Sequence, residues 1–195
     1  MTQPRRIGVF GGTFDPVHVG HLVAAVNVRH ALDLDVVLLV VANRPWQKVG
    51  SREVSPAPDR LAVVRAAVGD VPGVEASALE LERGVVSYTA DTLAALQADD
   101  PGADLALVIG ADVAATLHTW ERVDEVRARC RLAIVNRPGA PPPSVPAGWR
   151  ADVVEIPALE VSSTDLRARV ADGRPLDYLV PEAAVREVRR RGLYA

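Results

Sequence analysis

Short runs of valine, leucine and isoleucine alternate along this chain with segments of helical periodicity. The run DVVLLVVAN, residues 35–43, is apolar at successive positions, which is typical of a parallel strand covered by helices on both faces. Successive runs leave room for intervening helices of about 10 to 15 residues. The pattern therefore predicts an α/β fold with a doubly wound parallel sheet. The predicted strands are residues 6–12, 35–43, 74–82, 104–110, 131–136 and 152–157.

Helical patterns and capping residues fill the intervals between these strands. Ser87 is expected to cap a helix over residues 87–98, because a serine side chain accepts a hydrogen bond from the free amides of a first turn. The proline-rich segment 137–149 is interpreted as a loop, since the alternation resumes after it, and one domain is expected over residues 1–195. The other predicted helices are residues 19–32, a helix opened by Pro58, residues 119–130, residues 163–173 and a helix from Pro181 to Gly192.

Composition limits which binding partners and which cellular compartment are expected. A net charge of −3 argues against general affinity for nucleic acid. No apolar run approaches the roughly 18 residues of a membrane helix, and the N-terminal MTQPRR resembles no signal segment, so no membrane partner is expected. The single cysteine, Cys130, cannot form an internal disulfide, which favours a cytoplasmic location. The sequence leaves open whether the chain forms a homo-oligomer.

The segment GGTFDPVHVGH, residues 11–21, lies where the first strand ends and a helix begins, the edge at which doubly wound sheets bind ligands. A helix N-terminus attracts phosphate, and the glycine pair lets the backbone approach it closely. His18 and His21 share one face of the helix start, so both imidazoles can donate to one polyphosphate. Gly20 between them leaves room for a nucleotide. The chain contains neither a P-loop nor a G-x-G-x-x-G motif.

The stretch GTFDPVHVGH strongly resembles the H-x-G-H signature of the nucleotidyltransferase superfamily, whose members join a nucleoside triphosphate to a phosphorylated acceptor. Within it, nearly the whole chain resembles the bacterial nicotinate mononucleotide adenylyltransferases. The resemblance implies a Rossmann-like nucleotidyltransferase fold, ATP and nicotinate mononucleotide as substrates, and deamido-NAD and pyrophosphate as products. It implies that His18 and His21 are catalytic and that ATP contacts Gly11, Gly12, Thr13, Phe14 and Gly20.

The segment VSSTDLRARV, residues 161–170, resembles the S-S-T-x-x-R motif of the same superfamily. Considered alone, it predicts a helix capped by Ser163 or Thr164, and a capped helix start is itself a site for anions. Arg167, one turn into this helix, can reach phosphate oxygens. The resemblance implies that Ser162, Ser163, Thr164 and Arg167 hold the ATP phosphates, with Arg167 catalytic.

Two further segments carry the resemblance. In IGADVAATLHTW, residues 109–120, Gly110 and Asp112 follow a buried strand, so Asp112 can accept from a ribose hydroxyl. Trp120 could stack on a pyridine ring, and the alternative is a core tryptophan on an amphipathic helix. SYTADT, residues 87–92, resembles S-Y-T-x-D-T, which implies that the region of Thr89 contacts the nicotinate carboxylate; alone it is an ordinary helix start. His118 is interpreted as a surface residue.

The segment ANRPWQK, residues 42–48, matches the resemblance only in part, because relatives carry P-P-H-K or similar here. The departure leaves the role of Trp46 open. Lys48 is the only lysine in the chain, which suggests that a compact ammonium matters at this position; the alternative is a solvated loop lysine. Asn43 and Arg137 are further candidates for contacts with the ribose and phosphate of the acceptor.

The chemistry of this reaction requires no general base. The acceptor is a phosphate monoester whose second pKa is near ~6, so it is largely dianionic at neutral pH. We expect direct in-line attack on the α-phosphorus without a covalent enzyme intermediate. The histidines would donate to the triphosphate and Arg167 would neutralise the pyrophosphate. Mg²⁺ is expected, held mainly by the phosphates, so no protein metal cage is predicted.

Three alternatives remain at this point. Pantetheine-phosphate adenylyltransferases share the histidine and serine–threonine motifs, and cytidylyltransferases are a weaker match within the same superfamily. A non-catalytic nucleotide-binding module could keep the glycine turn without needing both histidines and the distal arginine. A panel of acceptors discriminates among these readings through pyrophosphate release.

Overall fold

The computed structural model describes residues 4–44, 54–84, 86–136 and 142–195, and its centre is one sheet of six parallel strands. In chain order the strands are β1 (Arg6–Gly12), β2 (Val36–Val41), β3 (Val74–Ser77), β4 (Asp104–Gly110), β5 (Cys130–Asn136) and β6 (Ala151–Glu155). Their order across the sheet is β3-β2-β1-β4-β5-β6. The winding direction reverses between β1 and β4. This arrangement confirms the predicted doubly wound α/β fold.

Helices cover both faces of this sheet. They are α1 (Val19–Ala31), α2 (Ala57–Val68), α3 (Leu79–Arg83), α4 (Thr89–Asp99), α5 (Ala111–Thr116), α6 (Val123–Arg129), α7 (Ser163–Ala171) and α8 (Glu182–Arg190). Alternate residues of β2 belong to two separate apolar cores, Val37 and Leu39 to one and Val36 and Val40 to the other. The first core includes residues of α1, α2, α7 and α8, and the second includes residues of α4, α5 and α6. In the part of the chain that the structure describes, no helix combines the length and apolar character needed to cross a bilayer.

The strand predicted over residues 74–82 and the helix predicted from Ser87 differ from the structure. The strand predicted over residues 74–82 ends at Ser77, whose side chain accepts from the amide of Leu79 at 3.3 Å and turns the chain into α3. Glutamate and leucine are good helix formers, so the alternation in LELE does not by itself specify a strand. Ser87 does not cap α4, which begins after Tyr88. Its hydroxyl instead accepts from the amide of Asn43 at 2.9 Å and joins two loops.

The helix predicted over residues 119–130 is shorter, and α5 with a 3₁₀ turn (Leu117–Thr119) precedes it. Arg122 has φ +53°, a left-handed conformation that interrupts any continuous helix through this segment. Trp120 therefore lies in an extended link between two helical pieces. It does not lie on the amphipathic helix that the alternative interpretation required.

Pairing between β1 and β4 stops before either strand ends. The last pair is Val9 with Leu107. Beyond it β1 stays paired with β2 as far as Gly12, and β4 stays paired with β5 as far as Gly110. The two halves of the sheet therefore part at the position where the strand order reverses. Open parallel sheets bind ligands at this kind of opening.

Candidate active site

Two cavities adjoin each other at the opening between β1 and β4. We name them the histidine cavity, of about 520 Å³, and the tryptophan cavity, of about 220 Å³. Both are lined by Phe10, Ile109 and Gly110. The predicted site residues that line the histidine cavity are His18, Gly20, His21, Gly110 and Asp112. Those that line the tryptophan cavity are Gly11, Gly12, Thr13, Thr89, Gly110 and Trp120.

The two histidines lie against each other at the start of α1. Their rings are stacked with centroids 3.7 Å apart and planes at 26°. The backbone amide of His18 donates to Nδ1 of His21 at 3.2 Å. A neutral His21 ring therefore carries its proton on Nε2, which makes Nε2 a donor. On His18, Nδ1 is buried and has no hydrogen-bond partner among the described residues.

The start of α1 contributes fewer free amides than the sequence suggests. The amide of Val19, the first of the helix, donates to the carbonyl of Leu179 at 3.0 Å. The amide of His21 donates to the carbonyl of His18 at 2.9 Å. Because the backbone donors are partly used within the protein, the imidazole side chains become the more important donors at this helix start.

Burial controls the charge of His18. Its residue is 8% exposed, and desolvation lowers the pKa of the imidazole from 6.5 to about 4. At neutral pH the His18 ring is therefore uncharged in the protein without nucleotide. A neutral ring donates one hydrogen bond, which is sufficient for one phosphate oxygen.

This shifted pKa predicts a measurable dependence of stability on pH. Between about pH 4 and pH 6.5 the unfolded chain binds a proton at His18 that the folded chain does not, so stability rises with pH. Lowering the pH from 7 to 5 should therefore remove about 2 kcal/mol of unfolding free energy through His18. Urea unfolding of the wild type and of His18→Gln at both pH values measures this contribution. An equal pH dependence in both proteins would contradict it.

Two aromatic residues, Phe10 and Phe14, pack against His21 of the histidine pair. Phe14 is buried, and its ring meets that of His21 edge to face at 5.1 Å and that of Phe10 at 5.8 Å. Phe14 has φ +49°, an unfavourable conformation for a bulky residue, which is retained in the buried turn. Of this aromatic pair, only Phe10 lines the two cavities. Phe14, predicted to contact ATP, therefore lies behind His21.

The beginning of α7 contacts the turn that precedes α1. Ser163 Oγ donates to the carbonyl of Pro16 at 2.9 Å. One guanidinium nitrogen of Arg167 donates to the carbonyl of Asp15 at 2.7 Å, and another donates to Thr164 Oγ1 at 3.2 Å. The two predicted phosphate motifs, about 140 residues apart in the sequence, thus meet in space.

Ser162 caps α7, in contrast to the expectation for Ser163 or Thr164. Its hydroxyl oxygen accepts from the amide of Asp165 at 3.2 Å. Ser163 is already inside the helix, so its hydroxyl is directed to Pro16. The cap is one residue earlier because Ser162 has the extended backbone that a cap requires.

Tyr194 also anchors the turn before α1. Its hydroxyl donates to Oδ1 of the buried Asp15 at 2.9 Å. Burial, reinforced by the Asp15 carboxylate, raises the pKa of Tyr194 well above its usual value, so the phenol stays protonated and remains a donor. Asp15 is thus held through its carbonyl by Arg167 and through its carboxylate by Tyr194.

Arg60, which the sequence analysis did not identify, supports loops that carry site residues. It is 1% exposed on α2, and its guanidinium donates to three separate loops. The acceptors are the carbonyls of Ser55 at 2.7 Å, Thr13 at 2.6 Å and Ala42 at 2.7 Å, with that of Asn43 at 3.3 Å. A buried arginine looks like a solvated helix residue in the sequence PDRLAVV, and only its apolar neighbours indicate that it faces the core.

Gly11, Gly12 and Gly20 have two different roles. A Cβ atom on Gly11 would meet nothing described within 4 Å, whereas one on Gly12 would lie 2.7 Å from the ring of Phe14. A Cβ atom on Gly20 would lie 3.1 Å from His18 Nδ1 and 3.1 Å from Val161 Cγ1. Gly12 and Gly20 therefore allow close packing inside the protein, while Gly11 leaves space in the tryptophan cavity.

A matched pair of alanine variants tests this distinction. Gly11→Ala should unfold at the wild-type midpoint and raise about fivefold the KM of the substrate that binds the tryptophan cavity, because the added methyl enters space that no described residue occupies. Gly12→Ala should lose about 2 kcal/mol of unfolding free energy, because Phe14 must shift. Thermal unfolding and steady-state kinetics measure both effects. A destabilised Gly11→Ala with unchanged KM would refute the assignment.

The remaining predicted residues fall into three groups. Thr89 and Trp120 line the tryptophan cavity, and the buried Nε1 of Trp120 has no hydrogen-bond partner in the described parts of the chain. Asn43 lies beside it, joined to Ser87. Lys48 and Arg137, like Trp46, lie outside the described residues.

Asn136 is a further lining residue that the sequence analysis omitted. It is buried at the end of β5 and lines the histidine cavity. The signal was present, because Asn136 follows the buried run RLAIV just as Asn43 follows VVLLVVA. A polar residue at the carboxyl end of a buried parallel strand is a candidate ligand contact in either case.

Comparisons with known proteins agree with this geometry. Residues 9–169 match the family described as Cytidylyltransferase-like. A protein of Saccharopolyspora erythraea named "Probable nicotinate-nucleotide adenylyltransferase" is 43% identical over 196 residues, which cover 100% of this chain and 92% of the relative. A protein of Streptomyces coelicolor with the same name is 44% identical over 186 residues, covering 94% of this chain and 98% of the relative.

Solved structures share the fold. "Plasmodium falciparum nicotinic acid mononucleotide adenylyltransferase complexed with NaAD" superposes with a TM-score of 0.79 at 15% identity, covering 97% of each chain. At this identity the similarity concerns the fold alone. It supports the Rossmann-like arrangement described above.

Proposed function

The chain belongs to the nicotinate-nucleotide adenylyltransferase family, within the cytidylyltransferase-like proteins, and from this premise we propose how its two cavities divide the substrates. The enzyme transfers the adenylyl group of ATP to nicotinate mononucleotide and forms deamido-NAD and pyrophosphate. The observation that carries the proposal is the pair of adjoining cavities that share Gly110. Two substrates bound there would meet at the opening between β1 and β4.

ATP is assigned to the histidine cavity. This cavity is the larger one, and it contains the imidazoles of His18 and His21. The exposed carboxylate of Asp112 lines the same cavity and can accept from a ribose hydroxyl. The starts of α1 and α7 are in contact beside it through Ser163 and Pro16, which supports a role of the S-S-T-x-x-R motif in binding the same triphosphate.

Nicotinate mononucleotide is assigned to the tryptophan cavity. Trp120 offers an aromatic face for the pyridine ring, a contact that contributes about 0.5–1.5 kcal/mol beyond burial. Thr89 begins α4 and lines this cavity, so its hydroxyl and the helix start suit the ring carboxylate. Asn43, Lys48 and Arg137 are proposed for the ribose and phosphate of the acceptor.

The transfer step is direct in-line attack by an acceptor phosphate oxygen on the α-phosphorus of ATP. The phosphate monoester is already dianionic at neutral pH, so no side chain has to remove a proton. His18 and His21 donate to the triphosphate, and the positive charge of Arg167 stabilises the departing pyrophosphate. The contacts of Arg167 with Asp15 and Thr164 hold its guanidinium at the start of α7.

A divalent metal accompanies this chemistry in the family, and we propose Mg²⁺ bound to the phosphates of ATP. Among the described residues, no group of three or more histidine, cysteine, aspartate or glutamate side chains could hold a metal ion. A metal that enters with ATP requires few protein ligands, because Mg²⁺ retains several waters. Its chemistry there is to neutralise charge on the phosphates.

A panel of acceptors tests the function. ATP is supplied with nicotinate mononucleotide, nicotinamide mononucleotide or phosphopantetheine, and pyrophosphate release is followed. The highest kcat/KM is expected with nicotinate mononucleotide. Best activity with phosphopantetheine, or ATP binding without pyrophosphate release from any acceptor, would overturn the assignment. A cytoplasmic location, the absence of nucleic-acid partners and one domain over residues 1–195 stay predictions.

A further inference from the structure

The tryptophan cavity contains a carboxylate to which the reaction described above gives no role. Among the described residues that line this cavity, Glu80 carries the only ionisable side chain. Oε1 of Glu80 accepts from the hydroxyl of Thr92 at 2.6 Å. Oε2 is buried and has no hydrogen-bond partner in the described parts of the chain. One carboxylate oxygen is thus fixed and the other is unsatisfied.

Cations near this wall of the cavity are paired with another acid. Arg83, on the same helix as Glu80, lies 3.5 Å from Asp91, and Arg122 lies 2.5 Å from Asp91. A buried carboxylate oxygen without a partner is unfavourable unless something else compensates it. Thr92, itself 2% exposed, keeps Glu80 from turning away to water.

A second unsatisfied atom lies in the same cavity. Nε1 of Trp120 is buried without a partner among the described residues, so two residues that line this cavity each carry an unpaired polar atom, one an acceptor and one a donor. A buried polar atom without a partner calls for an explanation, and a bound ligand is one. The occupant that satisfies Glu80 must bring a positive charge or a donor.

We propose that Glu80 is a specificity residue whose carboxylate recognises the cationic ring of the acceptor. This inference rests on the proposed function. The ring nitrogen of nicotinate mononucleotide is bonded to ribose, so the ring carries a permanent positive charge at every pH. A carboxylate in a cavity of low polarity attracts such a charge more strongly than it would in water. The ring carboxylate is assigned to Thr89 and the start of α4, as above.

The proposal gives a function to the Glu80 carboxylate, which lines the same cavity as Trp120. Stacking on Trp120 accepts a neutral or a charged ring, whereas Glu80 distinguishes between them. An acceptor without a ring cation, such as phosphopantetheine, would not supply the positive charge that the Glu80 carboxylate attracts. Selectivity then arises from an attraction that only the cationic ring gains.

The test compares a cationic with a neutral ring. Glu80→Gln removes the charge and keeps a side-chain oxygen that accepts from Thr92, and Glu82→Gln, at an exposed position on the same helix, is the matched control. The acceptors are nicotinate mononucleotide and its 1,4-dihydro form, which differs in having an uncharged ring. Glu80→Gln should raise KM and Kd for the cationic acceptor about tenfold and leave KM for ATP and both constants for the dihydro acceptor within about twofold. Glu82→Gln should change none of these constants.

Several results would overturn the inference. Equal losses with both acceptors, with a lowered unfolding midpoint, would assign Glu80 a structural role only. Unchanged constants with both acceptors would remove it from recognition. If the wild type neither binds nor uses nicotinate mononucleotide, the proposed function fails as well, whereas the other outcomes leave that function intact.

Discussion

Replacing His21 by alanine is expected to lower kcat by about a thousandfold while the protein stays folded. In the wild type, Nδ1 of His21 accepts from the amide of His18, so Nε2 carries the proton and is available to donate to the triphosphate. The variant removes this Nε2 donor. A donor that contacts charge developing in the transition state acts mainly on kcat, so KM for ATP should change much less. Pyrophosphate release at saturating ATP and acceptor measures the effect.

Two controls accompany this variant. His118→Ala replaces an exposed histidine and should retain wild-type kcat. His21→Asn keeps a side-chain oxygen that can accept from the amide of His18, which separates the support of the helix start from the donation to phosphate. If His21→Ala retained more than about a tenth of the wild-type kcat, the proposed role of this imidazole would be wrong.

Replacing Arg60 by alanine should lower the free energy of unfolding by about 4 kcal/mol. The change removes a buried guanidinium and leaves the carbonyls of Ser55, Thr13 and Ala42 without this donor. Arg60→Lys should recover only part of the loss, because one ammonium cannot present the planar fork that serves three loops. Urea unfolding followed by circular dichroism gives these values.

The activity of the folded Arg60 variants provides the second measurement. Thr13 belongs to the glycine turn and Asn43 to the end of β2, so their displacement should reduce kcat/KM at a temperature where the variant remains folded. Arg65→Ala, at an exposed position of the same helix, should change stability by less than about 0.5 kcal/mol and leave kcat/KM intact. If the unfolding free energy of Arg60→Ala were within about 1 kcal/mol of the wild-type value, the proposed role of Arg60 in joining three loops would be wrong.

Local patterns predicted the sheet well because buried parallel strands have a distinctive composition. Residues 104–110 were predicted as a strand and are β4 with the same limits. The strand predicted over residues 74–82 was wrong because alternating glutamate and leucine fits a strand and a helix alike. A local contact of Ser77 with the amide of Leu79 and a contact of Glu80 with Thr92, 12 residues away, favour the helix. The predicted start of α4 at Ser87 was also wrong, because the hydroxyl of Ser87 has its partner 44 residues away.

The sequence by itself determined the alternating layers, the family and the placement of His18, His21 and the S-S-T-x-x-R motif at helix starts. These features depend on neighbours a few positions apart, which local chemistry encodes. Only the tertiary structure decided that β1 and β4 part beyond Val9 and Leu107, and that Arg60 joins three loops. It alone decided that one buried oxygen of Glu80, in the cavity that Trp120 also lines, has no partner among the described residues. Such pairings join distant positions, so they follow from strand order and packing, which no short window of residues contains.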